Sequence, residues 1–141
     1  GDKPYTKEKA FADAKKFNPH IVVIKLGTND SKPQNWKFES EFVADYKAFV
    51  KAFQELESKP KVFICLPVPA YKGNFGITEP VVKEKVKPLI SEVAKELKLP
   101  VIDLYTALSD QPKLFPDQIH PNAAGAKLIA ETVFAAINPK K

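Results

Sequence analysis

Ile21-Val22-Val23-Ile24-Lys25-Leu26, opened by Pro19 and closed by Gly27-Thr28-Asn29-Asp30, is the stretch that decides the fold. It is short, β-branched and shows no alternation of polar with apolar residues. Such a run predicts a strand covered on both faces, as the strands of a parallel sheet are. Lys25 is the exception, and near the strand's end its methylene stem lies along apolar surface while the ammonium reaches water. Gly27 lets the chain turn sharply on leaving the strand and lets a ligand approach the backbone.

Working outward, Thr6 is placed to cap a short helix running to about Phe17, which Asn18-Pro19 ends. Downstream, Phe42, Tyr46, Phe49, Phe53 and Leu56 share one face of a helix over about 39–56. Lys61 to Leu66 reads as a second buried strand, closed by Pro67-Val68-Pro69. A helix over about 79–97 carries Val82, Val86, Leu89 and Val93 in one stripe, with a kink expected at Pro88. Val101 to Leu104 is a short third strand, and Asn122 caps a last helix through Ile137. Strands alternating with helices predict the α/β class, built from parallel βαβ units with right-handed crossovers and helices on both faces. Residues 1–141 form one domain with no internal boundary or repeat.

Composition narrows the function classes. With 44% hydrophobic and 11% aromatic residues, the 141-residue chain can bury a core, which excludes disordered and collagenous classes. Lys and Arg outnumber Asp and Glu by 22 to 17, but the charges interleave along helices. That pattern is a solvated surface, not a nucleic-acid footprint. No run approaches the roughly 20 apolar residues of a membrane span. Cys65 is the only cysteine, so an internal disulfide framework and a multi-cysteine zinc site are excluded. There is no methionine, which predicts a processed start or a piece of something longer.

In a parallel sheet with helices on both faces, the site lies in the loops at the carboxyl ends of the strands. That rule selects residues 27–30, 67–76 and 103 onward. In the first, the side-chain amide of Asn29 can point an N–H into the cleft, as an oxyanion donor must; alternatively Asn29 and Asp30 bond only to neighbouring backbone. The last of these segments contains Phe115-Pro116-Asp117-Gln118-Ile119-His120-Pro121-Asn122, just before the final helix. A carboxylate at 117 can hold one imidazole nitrogen of His120, leaving the other as a base. The plainer alternative is a turn-capping Asp117 and a surface His120. Tyr71 and Phe75 in the 67–76 loop, and Trp36 after the first strand, are candidate substrate walls, or residues packing on their own domain. A metal site would have to use Asp30, Asp117 and His120, and with His20 at the wrong end of its strand none is expected.

Gly27-x-Asn29-Asp30 after a strand, with Asp117-x-x-His120 before the last helix, resembles the SGNH hydrolases, the GDSL-type esterases and lipases. The stretches Leu26 to Pro33 and Pro116 to Asn122 look most like the branch of carbohydrate acetylesterases and sialate O-acetylesterase-like proteins. The resemblance covers essentially the whole chain. It implies a flavodoxin-like three-layer α/β/α fold and ester hydrolysis through an acyl-enzyme, with no cofactor and no metal. It casts Asn29 as oxyanion donor, His120 as base and then acid, and Asp117 as its orienting partner, with Gly27 and Asp30 in the site loop. Members in that branch are often exported to the periplasm or beyond the cell, though the 141 residues fix no compartment.

The family's Gly-Asp-Ser block, whose serine is the nucleophile, has no counterpart here. Lys3 stands where Gly1-Asp2 would need a following serine, about two dozen residues before Gly27, too close for that block and its crossover. Gly1-Asp2 looks instead like the segment just before the Asn29 block. The chain therefore reads as the carboxyl-terminal two-thirds of the domain, and no nucleophile is assigned within it. Ser31 follows the oxyanion block and is expected to cap its loop, and Cys65 sits inside a strand. The strands present would be the third to fifth of the order 2-1-3-4-5, which leaves residues 21–26 as an apolar edge. An upstream serine-bearing segment or second chain would complete the sheet there, unless two copies pair or the piece rearranges. The expected function is part of an esterase for short acyl esters on carbohydrate; the alternative is a non-catalytic module binding carbohydrate or a partner through the same cleft.

Overall fold

The computed structural model describes residues 3–139; Gly1 and Asp2, on which the reading of the opening segment rests, lie outside the described residues. Three parallel strands form the sheet, β1 (Ile21–Ile24), β2 (Lys61–Cys65) and β3 (Val101–Ile102), in the order β1-β2-β3. Val22 pairs with Val62, Ile24 with Ile64, and Cys65 with Ile102, so paired residues share a face and each face becomes an apolar stripe.

Helices cover both faces. On one side, Val22, Ile24, Val62 and Ile64 pack with Phe42, Tyr46, Phe49, Val50 and Phe53 of α3 (Phe42–Gln54). Val86, Ile90 and Val93 join them from the long helical segment over 79–96. Phe11 of α1 (Lys9–Lys16) completes this layer, stacked on Phe49 at 5.3 Å. On the other side, Phe63, Cys65 and Ile102 pack with Leu104, Leu108 and Phe115, and with Leu128, Ile129 and Val133 of the C-terminal helix. That is the expected three-layer arrangement.

The departures from expectation have local causes. Thr6 caps nothing: the helix starts at Lys9 after a single turn at Tyr5–Lys7, and Glu8 holds the cap position without a side-chain bond. A short helix α2 (Pro33–Trp36) follows the Asn29 loop. The segment over 79–96 is α4 (Glu79–Val81), a π-helical stretch at Val82–Val86 and α5 (Lys87–Glu96). Pro88 has no N–H to offer Glu84 and would crowd its carbonyl, and the wider turn just upstream absorbs this. The third strand stops at Ile102 because Asp103 caps α6 (Leu104–Leu108), accepting from the Thr106 N–H at 2.9 Å. At α7 (Ala123–Ile137), Asn122 caps as expected, accepting from the Gly125 N–H at 3.0 Å.

The largest departure is at β1. Its residues alternate between exposed and buried, whereas the sequence predicted cover on both faces. Val22 and Ile24 are buried under α3, while Ile21 and Val23 are 48% and 37% exposed. Among the described residues no helix lies over the second face of β1, because α7 sits across β2 and β3.

Candidate active site

Beyond Ile24 the chain leaves the sheet through Gly27, whose φ of +118° is one that L-residues with side chains rarely adopt. A Cβ there would stand 2.9 Å from Ile90 Cδ1 and 3.1 Å from Val86 Cγ1. The turn is thus seated directly on α5 and the π-helical stretch. It continues as a 3-10 turn, Asn29–Ser31, in which the backbone carbonyl of Asn29 accepts from Asn35 Nδ2 at 3.0 Å.

The 117–120 loop is built by Asp117 itself. Its Oδ1 accepts from the N–H groups of Ile119 at 2.9 Å and His120 at 2.6 Å, while its Oδ2 lies 2.7 Å from His120 Nδ1. The His120 backbone N–H, then the His120 ring, then the Ile119 N–H hold the Asp117 carboxyl pKa down at about 2. Between them Gln118 takes a φ of +73°. Ile119 is buried with Ala70, Ile77 and Val82, which anchors the loop to the 67–77 segment and the π-helical stretch.

These two loops meet. A cleft of about 170 Å³ is lined by Lys25, Leu26, Gly27, Thr28, Asn29 and Asp30 on one side and by Val68, Ile119, His120 and Pro121 on the other. Asn29 and His120 therefore share one cavity. Among the described residues the side-chain amide of Asn29 has no hydrogen-bond partner, and of the His120 ring nitrogens Nδ1 is engaged by Asp117 while Nε2 has none. Desolvation at the cleft wall raises the Asp30 carboxyl pKa, with a smaller push from Asp45.

Of the three candidate walls, Phe75 lies beside His120, its ring centroid 5.7 Å from the imidazole, although it is not among the residues that line the cleft. Trp36 and Tyr71 do not line the cleft. Trp36 packs on Phe42 at 5.8 Å, and Tyr71 packs on Phe115 at 5.1 Å with its hydroxyl donating to the Leu108 carbonyl. Ser31 is buried and donates its Oγ to the Thr28 carbonyl at 2.7 Å. Cys65 is buried inside β2, where burial pushes its thiol up to about 11. No three of His, Cys, Asp and Glu converge as metal ligands among the described residues, and no helix there is long and apolar enough to cross a membrane.

Asn74 was not singled out in the sequence, yet its side-chain amide donates to the Asp117 carbonyl at 3.1 Å. The local signal was the Asn74-Phe75-Gly76 turn pattern, which announces a corner without saying what it touches.

The family model for GDSL-like lipases and acylhydrolases matches residues 2–128. The chain belongs to the GDSL-like lipase/acylhydrolase family. A relative in Xylanibacter ruminicola, an acetylxylan esterase, is 42% identical over 97% of this chain and 32% of its own length. This GDSL-family chain thus spans about a third of that relative. Among solved structures, an acetylxylan esterase from Geobacillus stearothermophilus superposes with a TM-score of 0.75 at 18% identity, over 96% of this chain and 67% of that one. A lipase/acylhydrolase from Enterococcus faecalis gives 0.69 at 25% identity, over 97% and 70%. The fold is the SGNH hydrolase α/β fold with a parallel sheet.

Proposed function

We propose that this chain carries the proton-transfer and oxyanion half of a serine esterase site that hydrolyses short acyl esters, acetyl above all, on carbohydrate. The observation behind this reading is that His120, with Asp117 Oδ2 2.7 Å from its Nδ1, lines one cleft with Asn29. The name of the Xylanibacter relative supports acetyl esters of a polysaccharide as the substrate class.

On this reading the nucleophilic serine belongs to a segment outside these 141 residues. Ser31 is tied to the Thr28 carbonyl, and Cys65 is a buried thiol with a raised pKa, so neither is prepared to attack. The segment docks along β1, over a groove of about 420 Å³ lined by Phe17, residues 21–26, Phe49 and Phe53. As the serine Oγ bonds to the ester carbonyl carbon, His120 Nε2 takes its proton. The carbonyl electron pair moves onto oxygen, where the Asn29 amide N–H donates to the developing charge. Collapse breaks the ester C–O bond, and the alcohol departs with the proton from His120. Water then repeats both steps on the acyl-enzyme, releasing the acid and regenerating the serine. Asp117, held ionised by its low pKa, keeps Nδ1 protonated and Nε2 free. Gly27 and Asp30 shape the oxyanion loop, and Phe75 forms the wall beside the imidazole.

The test is hydrolysis of an aryl acetate and of acetylated xylo-oligosaccharide. The chain alone is expected to show neither burst nor turnover, and the chain completed by its upstream serine-bearing segment is expected to show both. In the completed enzyme His120→Ala lowers kcat by about 10³-fold or more and Asn29→Ala by about 10²–10³-fold. Turnover by the chain alone that survives His120→Ala, or none in the completed enzyme, overturns the reading.

A further inference from the structure

We propose that Asn74 is a positioning residue of this site: one side chain locks the 117–120 loop and the corner that presents Phe75 to His120. The inference rests on the reading of His120 as the base.

All four polar groups of Asn74 are engaged. Its backbone N–H donates to the Ile77 carbonyl at 3.0 Å, and its own carbonyl accepts from the Ile77 N–H at 2.8 Å, closing a tight corner. Its side-chain Oδ1 accepts from the Phe75 N–H at 2.8 Å, and its Nδ2 donates to the Asp117 carbonyl at 3.1 Å. Two non-glycine residues near these bonds sit in left-handed conformations, Phe75 at φ +54° and Gln118 at φ +73°. Such conformations persist where the surroundings over-determine them, and Asn74 contributes to both. At Phe75 the Oδ1 bond fixes the peptide that aims the ring, which stays 56% exposed and lies 5.7 Å from the imidazole at a 54° tilt. At Gln118 the Nδ2 bond fixes the carbonyl of the peptide entering that residue. The carboxylate of Asp117 already holds the imidazole and two backbone N–H groups, and Asn74 ties down the backbone carbonyl of the same residue.

A residue needed only to form the corner would use Oδ1 alone, and aspartate would serve there as well. The bond to Asp117, 43 residues away in sequence, requires an amide donor. Asn74→Asp therefore separates the two roles: it keeps shape and acceptor, removes the donor, and turns a carboxylate oxygen toward a carbonyl oxygen.

The measurement is the tautomer of His120, read by long-range proton–nitrogen NMR on the 141-residue chain at a pH where the imidazole is neutral. The wild type is expected to hold the Nδ1–H form. Asn74→Asp and Asn74→Ser are expected to lower the ratio of Nδ1–H to Nε2–H at least threefold while leaving helix content unchanged; Phe75→Leu is expected to keep the ratio. In the completed esterase, Asn74→Asp lowers kcat about tenfold with KM nearly unchanged. A wild-type tautomer ratio in both Asn74 variants overturns the proposal, and so does loss of folding in both, which would make Asn74 purely structural. A tautomer shift without any activity in the completed enzyme would count against the esterase reading and leave the positioning role supported.

Discussion

The carboxylate of Asp117 accepts from three donors within four residues of chain, and its pKa of about 2 follows from them. The folded value lies below the ordinary 3.8, so the linked stability is complete above about pH 4 and is lost as pH falls through about 2. Carbon NMR of the Asp117 carboxyl should give a midpoint near 2, and Asp117→Asn should flatten the fall in Tm between pH 4 and 2. Gly27 gives a second test at this scale. Alanine there meets both an unfavourable φ, about 1–2 kcal/mol, and the 2.9 Å approach of Ile90 Cδ1, and overpacking adds about 1–3 kcal/mol. Urea denaturation should show Gly27→Ala losing about 2–5 kcal/mol. Gly76→Ala, at φ +79° with its nearest neighbour at 3.3 Å, should lose only the backbone cost of about 1–2 kcal/mol. Both the glycine and the Asp/His spacing were legible in sequence because their chemistry is local. The contact of Asn74 with Asp117 was not, since it joins residues far apart in the chain through a side chain whose turn role already explained it.

At the scale of elements, the strands, the longer helices and the parallel α/β class were readable from apolar periodicity, and the errors fall where local chemistry outranks it. Asp103 begins α6 and ends β3 early because a carboxylate that can bond the Thr106 N–H favours a helix start over another strand residue. For Tyr71 and Trp36 the sequence left open a substrate wall or packing on their own domain, and their rings pack on Phe115 and Phe42. The 117–120 loop depends on a packing contact that no motif announced. Ile119 is 5% exposed, wedged with Ala70, Ile77 and Val82 between two site residues. Ile119→Ala should cost about 2–4 kcal/mol by the removed contacts and the residual cavity. It should also broaden the His120 side-chain resonances more than those of His20, which lies before β1. A destabilisation with the His120 resonances unchanged would show that the loop is held by Asp117 and Asn74 without this anchor.

At the scale of the whole molecule, β1 is, among the described residues, an edge strand whose second face is open. Phe17, Ile21, Val23 and Leu26 are all exposed beside it, and the groove they line holds about 420 Å³. An unpaired strand edge offers free N–H and C=O groups, and next to apolar side chains it is a template for pairing. Monomers rarely leave contiguous apolar surface of this kind without a use for it. The 141-residue chain should therefore associate with itself as its concentration rises, seen as a growing weight-average mass in sedimentation velocity. Ile21→Lys with Val23→Lys places two charges on the open face without entering the buried one, where Val22 and Ile24 lie. That variant should remain folded and weaken association at least tenfold, whereas a lysine at the exposed Phe134 on α7 should change it less. An upstream segment that completes the sheet must occupy the same edge, so adding it should abolish self-association in the wild type. Because the open strand is also the one that delivers Gly27 and Asn29 to the cleft, the proposed esterase function predicts turnover in proportion to the chains so converted. Self-association that persists unchanged beside bound upstream segment would place the contact elsewhere and remove the link between closing the sheet and completing the site.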